Sequence, residues 1–185
     1  MIMLVFPVVG LLAGLLSRLI RPVSRLDNTQ VEAIALPVCA CVIEALSGYF
    51  FLQGTARMVS TLVFYAMLLL FCARNKGTWA ALAGLGTLLN ALVILLNGGA
   101  MPISRTAIEN SGALGYLQDL EKGLIYAYCV TDEHTRLAVL GDMIPIRLFG
   151  RIHGFASIGD FIVCTGALLL CYRLGRLPRS REKEK

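Results

Sequence analysis

The chain has 185 residues, of which 57% are hydrophobic and only 16% are charged, whereas a soluble domain carries about a quarter charged residues. This composition argues against a soluble globular domain and favours a membrane protein. The formal net charge of +5 is not accompanied by a basic face with interleaved aromatic residues, so nucleic-acid binding is not expected.

Five apolar runs predict five transmembrane helices, and hence an all-α membrane protein. They cover about residues 1–20, 33–52, 58–72, 79–96 and 155–172, and most approach the length that crosses the hydrocarbon core. Gly10 and Gly14 in the first run have the GxxxG spacing that lets a second helix approach closely. The first run is interpreted as a retained span, because no basic residue precedes it. Residues 1–172 are therefore predicted to form one helical domain, followed by a basic tail, residues 173–185.

The longest polar segment, residues 97–154, is predicted to carry short helices that lie on the membrane surface or cap the bundle. Thr106 and Glu109 have the spacing of a capping box. Leucines from Leu114 onward recur at helical spacing as far as Tyr128, which predicts an amphipathic helix. Residues 131–140 are predicted to form a further short helix that ends at Gly141.

The distribution of basic residues predicts the orientation in the membrane. Eleven of the 17 Lys and Arg residues lie in the segment 18–25, the turn 74–76 and the tail. That side is predicted to be cytoplasmic, with the N-terminus outside, the C-terminus inside and segment 97–154 extracytoplasmic.

Three predicted spans each carry a polar residue at a similar depth below the outer face. At about 1.5 Å per helical residue, Asp160, Asn90 and Glu44 lie roughly 8, 10 and 12 Å below it. Such groups usually face the bundle interior or a wet cavity. The alternatives are structural: Glu44 as a protonated packing residue, Asn90 as a link between helices, and Asp160 as a cap of its helix.

Asp142 and Asp160 form the candidate catalytic pair. Two carboxyl groups at one membrane face can share a proton, so that one acts as a base toward water and the other as an acid. Asp142 also fits a turn after Gly141. The candidate binding residues are Glu44, Asn90, Asn97, Gly98, Met101, Pro102, Pro145, Ser157 and Gly159. No cofactor is expected, and no metal site, because the six cysteines contain no CxxC pair.

The order of three motifs resembles an uncharacterised family of small multi-span bacterial membrane proteins, a domain of unknown function. The motifs are Asn97-Gly-Gly-Ala-Met-Pro102, Leu140-Gly-Asp-Met-Ile-Pro145 and Ser157-Ile-Gly-Asp160. The resemblance implies a bacterial cytoplasmic membrane and a multi-pass topology.

The stretch Phe155-Ala-Ser-Ile-Gly-Asp160 is also similar to the last motif of signal peptidase II, an aspartic protease that processes lipoproteins. This resemblance implies that Asp160 is one catalytic aspartate and Asp142 the other.

Three functions remain open, each with a different structural consequence. A binding or accessory protein would dock a membrane lipid, a peptide or a membrane-protein partner at the outer face, and its two aspartates would be tied separately to backbone or to Arg147 and Arg151. An aspartic hydrolase would hold both carboxyls within reach of one water. A small ion or proton-coupled carrier, using Glu44 and Asp160, would continue its polar path toward the cytoplasm.

Overall fold

Uninterrupted apolar runs form five long helices in the computed structural model, which describes residues 5–20, 31–50, 54–125, 127–148 and 150–176. The long helices are α1 (Val5–Ile20), α2 (Ala35–Tyr49), α3 (Gly54–Arg74), α4 (Thr78–Leu96) and α7 (Ile158–Gly175). Between α4 and α7 lie two short helices, α5 (Arg105–Ser111) and α6 (Leu114–Glu121), and a 3₁₀ turn, Ala138–Leu140. The same segment contains four strands, β1 (Met101–Ile103), β2 (Tyr128–Val130), β3 (Ile144–Leu148) and β4 (Arg151–Ala156).

Three of these helices, α3, α4 and α7, are long and apolar enough to cross a membrane. The apolar parts of α1 and α2, Phe6–Ser17 and Ala35–Tyr49, are shorter. The fold is thus mostly helical with three candidate membrane spans, which is compatible with a membrane location.

Small residues set the close approach of the long helices. A Cβ atom at Gly10 would overlap the carbonyl oxygen of Leu168, and one at Gly14 would overlap that of Tyr172, so the GxxxG prediction is confirmed. The residue numbers at these two contacts increase together in both helices, and α1 and α7 therefore run parallel. On its other side α7 packs against α4, where a Cβ at Gly86 would overlap the carbonyl oxygen of Gly159.

Helices α2, α3 and α4 continue the bundle through short turns, so neighbours are antiparallel. The C-terminal ends of α2 and α4 and the N-terminal ends of α3 and α7 consequently lie at the same end of the bundle. Segment 97–157 folds over this end. Met101 packs with Val93 and Ile94 of α4, and Leu140 and Tyr65 pack against that cluster.

The strands form two small sheets within this segment. β1 pairs in parallel with β2, with Met101 opposite Tyr128, and β3 pairs antiparallel with β4, with Ile144 opposite Ala156. An apolar cluster beneath them consists of Ile103, Ile108, Leu117 and Leu120. Phe155 stacks on Tyr116 at 5.8 Å between ring centroids, which fastens β4 to α6.

The strands correct the prediction of an all-α chain and of a segment with helices only. The last long helix begins at Ile158 and not at residue 155, because Phe155 and Ala156 pair with β3. The third begins at Gly54 and not at residue 58. A short apolar run such as that of β4 cannot be told from the end of an apolar helix by its pattern alone. Its pairing with β3 identifies it as a strand.

Two local predictions in segment 97–154 are also wrong. Residues 131–140 do not form one helix, because the Asp132 side chain accepts bonds from His134 N and Thr135 Oγ1 in a local turn. Helix α5 is capped by Ser104 and not by Thr106. Ser104 Oγ accepts a hydrogen bond from Ala107 N. The segment 21–30 and the tail beyond residue 176 lie outside the described residues, as do the predictions made on them.

Candidate functional site

A cavity of about 250 Å³ lies at the end of the bundle where α2, α3, α4 and α7 meet segment 97–157. Its polar lining consists of Glu44, Arg57, Thr61, Tyr65, Asn90, Tyr128, Asp142 and Asp160. Met101 and the aromatic rings of Phe64 and Phe155 complete much of the wall. Five of these residues, Glu44, Asn90, Met101, Asp142 and Asp160, are candidates from the sequence, and the fold brings them to one cavity.

Asp160 is held by hydrogen bonds at the start of α7. Its N–H donates to Ser157 Oγ at 3.0 Å, and its Oδ2 accepts from Ser157 N at 3.0 Å, which makes a capping box. Its Oδ1 accepts from Asn90 Nδ2 of α4 at 2.7 Å. Both carboxylate oxygens therefore have partners, and a negative charge is also favoured at this end of a helix.

Asn90 connects α4 to both residues of the capping box. Its Oδ1 accepts from Ser157 Oγ at 3.0 Å, while its Nδ2 donates to Asp160. Gly159 passes so close to this amide that a Cβ there would overlap Asn90 Oδ1. Ser157 and Gly159 thus position the polar wall and are not among the residues that line the cavity.

Asp142 is held by its backbone, while Oδ1 of its carboxyl group has no partner among the described residues. Asp142 N donates to Pro102 O at 2.8 Å, and Asp142 O accepts from Ser104 N at 3.1 Å. The residue is only 4% exposed, and Oδ1 is buried without a hydrogen-bond partner among the described residues. Burial and, second, the charge of Asp160 raise the pKa of Asp142 to about 7. The carboxyl is thus poised to change its protonation state near neutral pH.

Arg57 and Glu44 form an ion pair between α3 and α2 at the cavity. Arg57 Nη1 also donates to Ser47 Oγ at 2.8 Å, and Ser47 and Ser60 share a further bond at 2.8 Å. This network leaves Glu44 Oε2 and Arg57 Nε buried without partners, and Thr61 Oγ1 is in the same condition, within the part of the chain that is described.

Four of the polar lining residues were not predicted from the sequence: Arg57, Thr61, Tyr65 and Tyr128. Arg57 lies just before the predicted third span, residues 58–72, although α3 has already begun at Gly54. An arginine within the first turns of an apolar helix, with Glu44 near the end of the helix before it, is the one sequence signal for this pair.

The remaining candidates lie away from the cavity. Asn97 bonds to the backbone of Arg136 through both side-chain atoms, at 2.8 and 2.9 Å, and so holds a loop. Gly98 is exposed at a positive φ of 71°. Pro145 lies in β3 beside a separate shallow groove that includes Arg147. Arg147 Nη2 approaches Asn110 O at 3.4 Å and makes no bond to Asp142.

The cavity lining thus combines carboxyl, guanidinium, hydroxyl and amide groups with aromatic rings. Among the described residues no three His, Cys, Asp or Glu side chains are arranged to hold a metal ion. The roles assigned to individual residues stay predictions.

Residues 28–172 match the family model described as "Family of unknown function (DUF5317)", in agreement with the resemblance to an uncharacterised family. No curated protein and no solved structure matches the chain. The resemblance to signal peptidase II is thus not shown.

Proposed function

The chain belongs to this family of unknown function, and we propose that it is an integral membrane protein whose cavity at the end of the bundle binds a small polar ligand or lipid head group. This is the binding role among the three functions that the sequence left open.

The observation that carries the proposal is a set of four buried polar atoms around one cavity. They are Glu44 Oε2, Arg57 Nε, Thr61 Oγ1 and Asp142 Oδ1, and none has a hydrogen-bond partner among the described residues. An unsatisfied buried donor or acceptor costs about 1–3 kcal/mol. The cavity holds roughly eight water volumes at the liquid density, so water or a polar solute of similar size can satisfy them.

We further propose five spans in a bacterial cytoplasmic membrane, with the N-terminus outside. The parallel packing of α1 on α7 supports an odd number of crossings. The excess of Lys and Arg on the side opposite segment 97–157 supports this orientation. The cavity then opens toward the outer leaflet.

Binding is tested by filling the cavity. Thr61→Phe adds a ring at the cavity wall, and Leu62→Phe adds the same ring on the exposed side of α3, where Leu62 is 38% exposed. The unfolding midpoint of detergent-solubilised protein is followed through Trp79, the single, buried tryptophan. The probes are ethanolamine, acetate, glycine and inorganic phosphate.

At one hundred times its dissociation constant a ligand adds about 2.7 kcal/mol to the stability, or roughly 5–10 °C for a chain of this length. We expect at least one probe to give such a rise in wild type and Leu62→Phe, and not in Thr61→Phe. The proposal fails if no probe raises the midpoint, or if Thr61→Phe responds like wild type.

An aspartic hydrolase is the second candidate, favoured by one observation. An aspartic hydrolase pairs one ionised carboxyl with one protonated carboxyl. Asp142 and Asp160 line the same cavity, and burial raises the pKa of Asp142, which suits it to be the protonated member of such a pair. The ionised group would take a proton from water as it attacks an acyl carbon, and the other would protonate the leaving group. Asp142→Asn and Asp160→Asn should then each abolish peptide processing in membranes, and unchanged processing in both excludes this candidate.

A further inference from the structure

The cavity lining contains more acidic than basic side chains. Three carboxyl groups, from Glu44, Asp142 and Asp160, face one guanidinium group, that of Arg57. With all four ionised, the lining carries two negative charges in excess. Buried charge is costly unless it is paired, so the lining favours a cation over an anion or a neutral solute.

The hydrogen bonds show which of the carboxylate oxygens remain available. Both oxygens of Asp160 have donors within the protein, and one oxygen of Glu44 accepts from Arg57. Glu44 Oε2 and Asp142 Oδ1 remain, each buried without a partner among the described residues. They come from α2 and from the loop after the 3₁₀ turn, and their residues line one cavity. A single ligand that satisfies both acceptors has to donate more than one hydrogen bond.

The fixed backbone of Asp142 makes its carboxyl a defined feature of the cavity wall. Its N–H and C=O are both bonded to the β1 segment, through Pro102 and Ser104, in a bridge beside Ile103. A Cβ atom at the preceding residue, Gly141, would overlap Pro102 O. The Asp142 side chain therefore starts from a constrained position beside the cavity.

We infer that the cavity binds a primary ammonium group, with Asp142 and Glu44 as its hydrogen-bond acceptors. A primary ammonium carries one positive charge and three N–H donors, which matches the charge excess and the two free oxygens. Phe64, Tyr65, Tyr128 and Phe155 in the wall suit the carbon atoms next to the charge and add attraction to a cation. A quaternary ammonium shares the charge and lacks the donors. The ammonium belongs either to a soluble amine or to an ethanolamine lipid head group.

This inference rests on the proposed binding function and names the ligand class for the same cavity. The arrangement favours an organic cation over a metal ion, because no group of three metal-binding side chains exists in the described residues.

The test compares ethanolamine with choline, its N-methylated counterpart, on the intact chain in detergent at about pH 8. Affinity is measured by calorimetric titration and by the rise in unfolding midpoint. The lipid source is tested in nanodiscs that contain phosphatidylethanolamine or phosphatidylcholine. The variants are Asp142→Asn and, as a matched control, Asp119→Asn, which removes an exposed carboxylate on α6.

We expect ethanolamine, or the lipid that carries it, to bind at least tenfold more tightly than its choline counterpart. Asp142→Asn should weaken that binding about tenfold or more, since bonds to charged groups are among the strongest, and Asp119→Asn should leave it unchanged. A response to the soluble compound alone identifies a free amine as the source, and a response to the lipid alone identifies the head group.

Equal binding of ethanolamine and choline overturns the inference, as does undiminished binding by Asp142→Asn. Binding of acetate or phosphate without ethanolamine overturns it too, while the proposed binding function stands. If no compound binds, both fail. Should Asp142→Asn not fold, the comparison of ethanolamine with choline on wild type still decides.

Discussion

Asp142 and Asp160 line one cavity, but their carboxyl groups have different surroundings. Asp160 accepts from Ser157 N and Asn90 Nδ2, whereas Asp142 Oδ1 has no partner in the described part of the chain. Desolvation disfavours a charge on Asp142 and raises the pKa of its carboxyl. The two carboxyl groups therefore differ in their hydrogen bonds, and the pKa of about 7 makes the protonation state of Asp142 sensitive to pH near neutrality.

The buried carboxyl of Asp142 predicts that the protein is more stable at mildly acidic than at neutral pH. The pKa of Asp142 rises from 3.8 to about 7 on folding, so between these values the folded state binds the extra proton. Stability from this group is complete below about pH 4 and is lost as the pH rises through 7. Each pKa unit corresponds to about 1.4 kcal/mol, so the total is a few kcal/mol.

Asp142→Asn removes this dependence because the amide stays neutral. Between about pH 5 and pH 8 the unfolding midpoint of wild type should fall by several degrees, on the order of 2–4 °C per kcal/mol. The unfolding midpoint of the variant should fall much less over this range, and at pH 8 it should lie above that of wild type. Identical slopes for the two proteins would contradict the account.

Ser157→Ala tests the network that holds the polar wall. It removes the cap of α7 and the donor to Asn90 Oδ1. The lost cap alone lowers the free energy of unfolding by about 1–2 kcal/mol, and the unsatisfied amide adds to this. Thr165→Ala, on the exposed side of the same helix, should change it by less than about 0.5 kcal/mol. The readout is unfolding in a denaturing detergent, and equal effects of the two variants would refute the network's role.

At the scale of elements, close backbone contacts fix which helices are neighbours. Gly10 and Gly14 admit Leu168 and Tyr172 of α7, and Gly86 on α4 admits Gly159 on the other side of α7. These contacts hold α7 between α1 and α4, with Asp160 and Asn90 at the same level. A side chain on any of these glycines must push the backbones apart.

Gly10→Ile should therefore separate α1 from α7. Overpacking of this kind costs about 1–3 kcal/mol. Ala13→Ile adds a branched side chain on the exposed side of α1 and should leave stability nearly unchanged. Thermal unfolding in detergent measures both, and a Gly10→Ile protein as stable as Ala13→Ile would show that α1 does not pack as described.

At the scale of the whole molecule, the cavity forms because segment 97–157 covers one end of the helix bundle. This segment contributes Met101, Tyr128, Asp142 and Phe155 to the cavity, and the bundle contributes the rest. The cluster around Val93 joins the segment to the bundle end, and the cluster around Ile103 packs within the segment itself. Neither part encloses the cavity alone.

The proposed orientation puts this end outside the cytoplasm. Alkaline phosphatase inserted after Glu133, in an exposed turn, should be active, because the enzyme requires an oxidising compartment for its disulfides. The same enzyme fused to the C-terminus should be inactive, whereas a fluorescent protein there should fluoresce. Reversed activities would invert the topology, and activity at both sites would rule out one fixed orientation.

The sequence by itself determined the helical character, the close packing at Gly10 and Gly14 and the polar residues worth attention. Apolar run length and small-residue spacing are local properties, and they are readable without the fold. Glu44, Asn90 and Asp160 stood out because polar groups in apolar runs are costly.

Only the tertiary structure decided which of these residues meet. Asn90 and Asp160 are 70 residues apart in the chain, and no local pattern records that α4 and α7 are neighbours. The strands depend on pairing partners, so the apolar ends of β3 and β4 were assigned to loop and helix. Arg57 belongs to the cavity wall because α3 begins one turn earlier than its hydropathy indicated. Asp142 Oδ1 is buried without a partner among the described residues, in a residue whose backbone is held by bonds to Pro102 and Ser104.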